Sequence, residues 1–167
     1  MSMIIHDDGI DYQIRPIQPS DKAGLIELFD MLSPESRRFR FAHAINQLPK
    51  AFIEDVLNAD QTTEMAFVAE ELTHEGKKKM IGISRYAPTD TKASCEFSLT
   101  VADAYTSHGI GSRLLNRLIE HAKEHGVSQL VGYVLTDNIR MAKLVSELGF
   151  KRVPNDSFDY QKYVLTL

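Results

Sequence analysis

The stretch VADAYTSHGIGSRLLNRLIEHAKEHG, Val101–Gly126, decides how the chain is read. Its second half is amphipathic at helical spacing. Ile110, Leu114, Leu115, Leu118, Ile119 and Ala122 fall on one face, and Arg113, Arg117, Glu120, Lys123 and Glu124 on the other. Gly126 occupies the usual place of a helix C-terminal glycine. The helix opens on a glycine pair, Gly109 and Gly111, where good helix formers are expected. A helix N-terminus carries unpaired N–H groups and a partial positive charge, and glycine lets an anion approach that backbone closely. Gly109, Ile110, Gly111 and Ser112 are therefore a candidate anion cradle, with phosphate as the natural occupant. A tight turn that needs positive φ at the glycines explains them equally well. Two nucleotide motifs fail. The dinucleotide fingerprint wants a third glycine where Leu114 stands, and no Gly-Lys-Ser/Thr follows Gly111.

Upstream of this helix, ASCEFSLTV (Ala93–Val101) reads as a strand. So do MAFVAE (Met65–Glu70) and KKMIGISRYA (Lys78–Ala87), joined by a polar turn at Gly76. Nearer the start, YQIRPI (Tyr12–Ile17) alternates like a half-buried strand. Pro19-Ser20-Asp21 opens a helix with Leu25, Ile26, Phe29 and Leu32 as its apolar stripe. SPESRRFRF forms a short second helix, and a third begins near Pro49 with Phe52, Ile53, Val56 and Leu57 on one face. Downstream, QLVGYVL (Gln129–Leu135) is an apolar strand. Asn138 opens a helix with Met141, Leu144, Val145 and Leu148 inward and Gly149 at its end. Phe150–Val153 and Tyr160–Leu167 are the last strands. The order β-α-α-α-β-β-β-α-β-α-β-β implies an α/β (α+β) class, a mixed sheet with helices on its faces.

At 167 residues the expectation is a single domain, 1–167. Hydrophobic residues make up 43% and charged residues 25%, which is ordinary globular composition. A net charge of −4 argues against a dedicated nucleic-acid binder, since no general basic field exists. The lone cysteine, Cys95, excludes an intramolecular disulfide and fits a reducing compartment. MSMIIHDDGI lacks the basic and apolar regions of a signal peptide, and no stretch is apolar enough to span a bilayer. The expected location is the cytoplasm, with no membrane partner.

The longer segment CEFSLTVADAYTSHGIG…ELGF, Cys95–Phe150, resembles the acetyl-CoA-binding core of the GNAT N-acetyltransferases. Val101 ends the strand, Thr106-Ser107-His108-Gly109-Ile110-Gly111 fills the loop, Asn138 follows the next strand and Leu148-Gly149-Phe150 closes the pattern. LSPESRRFRF and Glu96 in CEFSL are similar to the GNAT domain of bacterial protein lysine acetyltransferases. The resemblance implies a mixed, mostly antiparallel central sheet with helices on both faces. It implies acetyl-CoA as co-substrate and no metal. The N–H groups from Gly109 to Ser112 would hold the coenzyme pyrophosphate, with Thr106 and His108 in the same loop. Leu99 and Val101 would offer main-chain groups to the pantetheine arm, and Asn138 would bond that arm or a phosphate while capping its own helix. Two positions depart from the family: Thr106 replaces a Gln or Arg, and Val145 stands where the family has an acidic tyrosine.

Acetyl transfer to an amine requires removal of a proton, because an ammonium of pKa about 10.4 is not nucleophilic. Glu96 is the candidate base, its alternative being a solvated or lysine-paired carboxylate. The Val101 N–H is the candidate oxyanion donor. Tyr133 is a substitute acid for the leaving thiol. The acceptor is a primary amine, on a protein lysine or a small molecule, and a homodimer is compatible with the resemblance. Thr106 and Val145 speak for an alternative, a non-catalytic acyl-CoA-binding sensor or scaffold. Other features have blander readings. His121 and His125, four apart, could chelate a metal but fit a solvated face. Cys95 fits a small buried strand residue, and Lys77-Lys78-Lys79 decorate a hairpin. Arg37, Arg38 and Arg40, interleaved with Phe39 and Phe41, would either bind an acidic substrate or RNA or snorkel from a helix end.

Overall fold

Among the residues that the computed structural model describes, 3–41 and 46–167, eight strands form one sheet. They are β1 (Ile4–Asp7), β2 (Ile10–Pro16), β3 (Met65–Leu72), β4 (Lys78–Pro88), β5 (Ser94–Val101), β6 (Gln129–Leu135), β7 (Lys151–Val153) and β8 (Tyr160–Thr166). Their order in the sheet is β1-β2-β3-β4-β5-β6-β8-β7. Every neighbouring pair is antiparallel except β5 and β6, which are parallel. Five helices complete the fold: α1 (Lys22–Met31), α2 (Pro34–Phe41), α3 (Lys50–Leu57), α4 (Ile110–Glu124) and α5 (Ile139–Glu147). The expected mixed sheet is therefore present, with one strand more than expected. β1 pairs with β2 through Asp8 and Gly9, both at positive φ (47° and 83°), as a two-residue hairpin connection requires.

Alternation along β3 shows how helices cover both faces. Met65, Phe67 and Ala69 join a core with Ile110, Leu114, Leu115 and Leu118 of α4 and Val145 of α5. Ala66 and Val68 point the other way, into a second core with Leu25 and Leu28 of α1 and Val56 of α3. Ile26, expected on the inward stripe, is 38% exposed instead. A 3-10 turn at Pro19–Asp21 delays α1, whose buried stripe is Leu25, Leu28, Phe29 and the following Leu32. No helix among the described residues is long and apolar enough to cross a membrane.

His121 also departs from the expected solvated face. Its Nδ1 lies 2.7 Å from the Tyr86 hydroxyl and its Nε2 lies 3.0 Å from the Gln61 carbonyl, while the ring stacks on His125 at 3.9 Å. With Nε2–H donating and Nδ1 accepting, this network suits a neutral ring. Burial, with His125 second, pulls its pKa below the ordinary value. Among the described residues, no three His, Cys, Asp or Glu side chains cluster as metal ligands would.

One polar network ties the turn before α1 to the sheet. Arg15 on β2 donates to both Asp21 oxygens, at 2.9 and 2.8 Å, and to both Glu70 oxygens, at 3.3 and 2.9 Å. Side-chain exposure is only 14% for Arg15, 9% for Asp21 and 11% for Glu70. Burial alone would raise both carboxyls. For Asp21, hydrogen bonds from Arg15 and the Gln18 N–H outweigh it, and for Glu70, those from Arg15 and Gln13 do, so both sit below their ordinary values. A carboxyl depressed in the folded state adds stability above its unfolded pKa, near 4, and loses it as pH falls through the lower folded value. Removing the guanidinium strands two buried charges. Arg15→Ala should cost about 3–5 kcal/mol at pH 7, and the gap to wild type should narrow below about pH 4. Urea denaturation at pH 7 and pH 3 checks this; a gap independent of pH contradicts it.

Candidate active site

The sheet is open at its one parallel pair. β5 and β6 pair at Ser94–Gln129, Cys95–Leu130 and Glu96–Val131, and no further. Beyond that point β5 is paired only with β4. The Ala102 N–H donates to the Ile81 carbonyl at 2.9 Å, which fixes the direction of alternate residues. By the twofold period of a strand, the N–H and C=O groups of Thr100, Ser98 and Glu96 face β4. Those of Val101, Leu99 and Phe97 then face the gap toward β6. Two expected residues, Leu99 and Val101, thus turn their backbone groups into the gap, where no strand pairs with them.

Helix α4 begins where β5 ends, and its mouth is bare. Gly109 is the N-cap residue, at φ 73° and ψ 6°, and no side chain caps the helix. A left-handed residue followed by helical Ile110 turns successive N–H groups into one concavity. Among the described residues the N–H groups of Gly109, Ile110, Gly111 and Ser112 have no protein acceptor. Gly109 is required by its positive φ. Gly111 packs closely, since a Cβ there would lie 3.3 Å from Leu144 Cδ2 and 3.5 Å from Leu99 Cδ2. Ser107, also left-handed at φ 74°, curls the loop before the helix. Thr106 turns back on the loop, its hydroxyl bonding the Asp103 carbonyl at 3.0 Å. His108 is half-buried, and its carbonyl accepts from Arg113 at 3.3 Å. Arg113, read as solvated, also donates to the Tyr12 hydroxyl at 2.5 Å, so a guanidinium stands at the mouth of the cradle. Asn138 caps α5 by accepting from the Met141 N–H at 3.3 Å, and among the described residues its amide N–H2 has no acceptor. Val145 is fully buried in the core under α5.

The opposite face of the sheet carries the chemistry-bearing side chains. Cys95, Phe97 and Leu99 point into the α4 core, so Glu96, Ser98 and Thr100 point the other way. Leu130 and Val134 assign Tyr133 to the same side as Glu96 by the same rule. Glu96 is exposed and lines a cleft between β4, β5, α2 and the start of α3. Tyr133 is exposed across the gap, edge-on to the Tyr160 ring at 5.4 Å.

Helix α2 straddles the gap. At its start, Asp103 accepts from the Ser33 N–H, the Ser33 hydroxyl and the Ser36 hydroxyl at 3.0–3.1 Å. Farther along, Arg38 bonds Asp137 at 2.5 Å. Asp103 follows β5 and Asp137 follows β6, so the helix is fastened to both diverging strands. The arginine-aromatic segment is thereby divided. Arg37 lies on the Phe29 ring at 4.2 Å and Arg38 reaches Asp137, while Arg40 alone of the three lines the cleft. The sequence reading missed Arg85, which also lines it. Its signal was an arginine at an inward position of the alternating strand, two residues after buried Ile83.

The family model for the acetyltransferase (GNAT) domain matches residues 12–151. The chain is 36% identical over 154 residues to an acetyltransferase of Pseudomonas aeruginosa, covering 90% of this chain and 82% of that protein. It is 29% identical over 146 residues to the acetyltransferase Pat of Mycolicibacterium smegmatis, covering 87% of this chain but 43% of that longer protein. Its fold matches the GNAT domain of S. lividans PAT at a TM-score of 0.87 and 23% identity, over 99% of this chain and 97% of that one. A Salmonella typhimurium structure containing acetyl-CoA matches at 0.71 and 19% identity, over 93% of each chain.

The fastening of α2 is testable by itself. Burial alone would raise the Asp103 carboxyl, but hydrogen bonds from Ser33 and Ser36 hold it below its ordinary value. Asp103→Ala should speed amide exchange across Ser33–Phe41 by about tenfold, the effect of losing about 1.4 kcal/mol. Exchange in α4 should stay unchanged. Unaltered exchange in α2 would show that Asp103 does not hold it.

Proposed function

The chain belongs to the GNAT acetyltransferase family and is an N-acetyltransferase; on that premise we propose that it carries the acetyl group of acetyl-CoA to a primary amine, of a small molecule or a protein lysine, by direct attack. The observation that carries this reading is the continuity of unpaired backbone from the α4 mouth along β5 toward Glu96. The free N–H groups of Gly109, Ile110, Gly111 and Ser112 would hold the pyrophosphate, with Arg113 adding a charge that Thr106 does not supply. Thr106 and His108 shape that loop. Leu99 and Val101 pair with the amides of the pantetheine arm as a neighbouring strand would, and the Asn138 side chain donates from the other side.

Acetyl-CoA supplies the acetyl group as an activated thioester. The Val101 N–H, directed into the gap, donates to the carbonyl oxygen as negative charge gathers there. Glu96 takes a proton from the acceptor ammonium, directly or through one water, and its exposure lets that proton pass to solvent. Val145 has no proton to give. Tyr133, on the Glu96 face of the sheet, is the phenol assigned to protonate the departing thiolate. That help is not obligatory, because a thiol of pKa about 8.5 leaves readily. The buried thiol of Cys95, its pKa raised by desolvation, takes no part and suits a reducing, cytoplasmic setting. Residues 1–167 act as one catalytic unit in this reading.

Glu96→Gln keeps the shape and removes the basicity. It should lower kcat/KM about 10²- to 10⁴-fold near neutral pH, with acetyl-CoA affinity unchanged. The deficit should shrink at high pH, where free amine is abundant. Full activity of the variant at pH 7, measured as CoA release, would assign the proton to another acceptor.

A further inference from the structure

The open cleft beside Glu96 has a volume of about 510 Å³, room for a small molecule. Its inner wall holds two arginines from distant parts of the chain. In the β4–β5 ladder Arg85 stands opposite Ser98 and Ala87 opposite Glu96, so Arg85 and Glu96 are diagonal neighbours on one face. The Arg40 guanidinium lies 4.8 Å from the Phe41 ring centroid and 5.1 Å from that of Phe52. The Arg85 guanidinium lies 6.0 Å from the same Phe52 ring. One aromatic ring thus brings both cations together.

Among the described residues neither cation forms an ion pair. Among the described residues no carboxylate oxygen comes within 4.0 Å of Arg40 or Arg85, and the buried Nε of Arg85 has no hydrogen-bond partner. Asp90 is the other acidic residue lining the cleft, but it is exposed on the β4–β5 turn, at the rim. Arg40 has its pKa pulled down to about 10, first by burial and then by the charge of Arg85, with Glu96 acting the other way. Two like charges held together without a built-in partner destabilise the free protein, and an anion placed between them removes that cost.

We propose that this cleft binds the carboxylate of an amino-acid-like acceptor, a small molecule carrying a primary amine and a carboxylate. The carboxylate sits on Arg40 and Arg85, the amine turns to Glu96, and Phe41 and Phe52 wall the intervening carbons. The inference rests on the acetyl-transfer reading above and narrows its acceptor to one class. A lysine side chain presented by a protein brings its amine without that carboxylate and leaves the two guanidiniums unmatched.

The test compares β-alanine, 4-aminobutyrate and 6-aminohexanoate with their primary amides, which differ chiefly in the charge. Calorimetry reads their binding to the CoA-saturated protein, and CoA release from acetyl-CoA reads their turnover. For at least one length the acid should exceed its amide by tenfold or more in both affinity and kcat/KM. In Arg40→Gln and Arg85→Gln that ratio should fall toward one while acetyl-CoA affinity holds, and Arg85→Lys should restore part of it. Equal behaviour of acids and amides, failure of every acid to bind, or a lysine peptide outperforming every amino acid would overturn the proposal. Amines acetylated without regard to the carboxylate would leave acetyl transfer standing and remove the cleft assignment. Acids that bind in preference to amides but are never acetylated would do the reverse.

Discussion

Between β5 and β6 the ladder runs for three residue pairs and stops at Glu96–Val131. Past that point β5 remains tied to β4 and β6 to β8, so each diverging strand stays ordered while its inner edge is free. An unpaired edge inside a sheet is costly unless something satisfies its N–H and C=O groups. The edge is kept open by packing as well as by divergence. The Phe97 ring lies against the backbone of Gly132 on β6 so closely that a Cβ there would fall 2.2 Å from it. The same ring contacts Phe150 at 4.9 Å, between centroids, and anchors the wedge in the core.

The other parts of the site are placed by that opening. Helix α4 can start only beyond the end of β5, which sets its bare N-terminus at one end of the gap. Gly111 lets that first turn press on Leu99 and Leu144. Helix α2 bridges the diverging strands because its two anchors, Asp103 and Asp137, each follow one of them. In the proposed reaction a single strand serves both substrates through its period of two. The odd residues of β5 turn their backbone to the gap, and even residues Glu96 and Ser98 turn their side chains to the cleft. The two arginines of the cleft depend on the same placement, since Arg40 reaches it only from a helix held across the gap.

Much of this was legible in the sequence because it is periodic. The amphipathic faces of α4 and α5, the alternating strands and the glycine at the α4 cap carry local signals, and the loop from Thr106 to Gly111 with Asn138 carried the family resemblance. Strand β1 carries a local signal too: Asp8-Gly9, the preferred pair for a two-residue hairpin, lies between alternating residues. The burial of Leu28 rather than Ile26 follows the ordinary helical spacing, since Leu25, Leu28, Phe29 and Leu32 stand at i, i+3, i+4 and i+7. Arg85 showed only its inward strand position, and the division of the Arg37–Phe41 segment was not legible. Their roles arise where β4, α2 and α3 meet, and pairing across such sequence distances leaves no local pattern. His121 misled for a related reason, since its partners Tyr86 and Gln61 lie 35 and 60 residues away.

The central claim is that the free backbone of the gap and of the α4 mouth binds the coenzyme. An NMR titration of amide resonances with acetyl-CoA tests it most directly, because the claim names individual N–H groups. The largest shifts are expected at Leu99, Val101, Gly109, Ile110, Gly111 and Ser112, with slowed hydrogen exchange at the same amides once the ligand saturates. Binding that leaves those amides unperturbed, or perturbs another part of the surface instead, would contradict it.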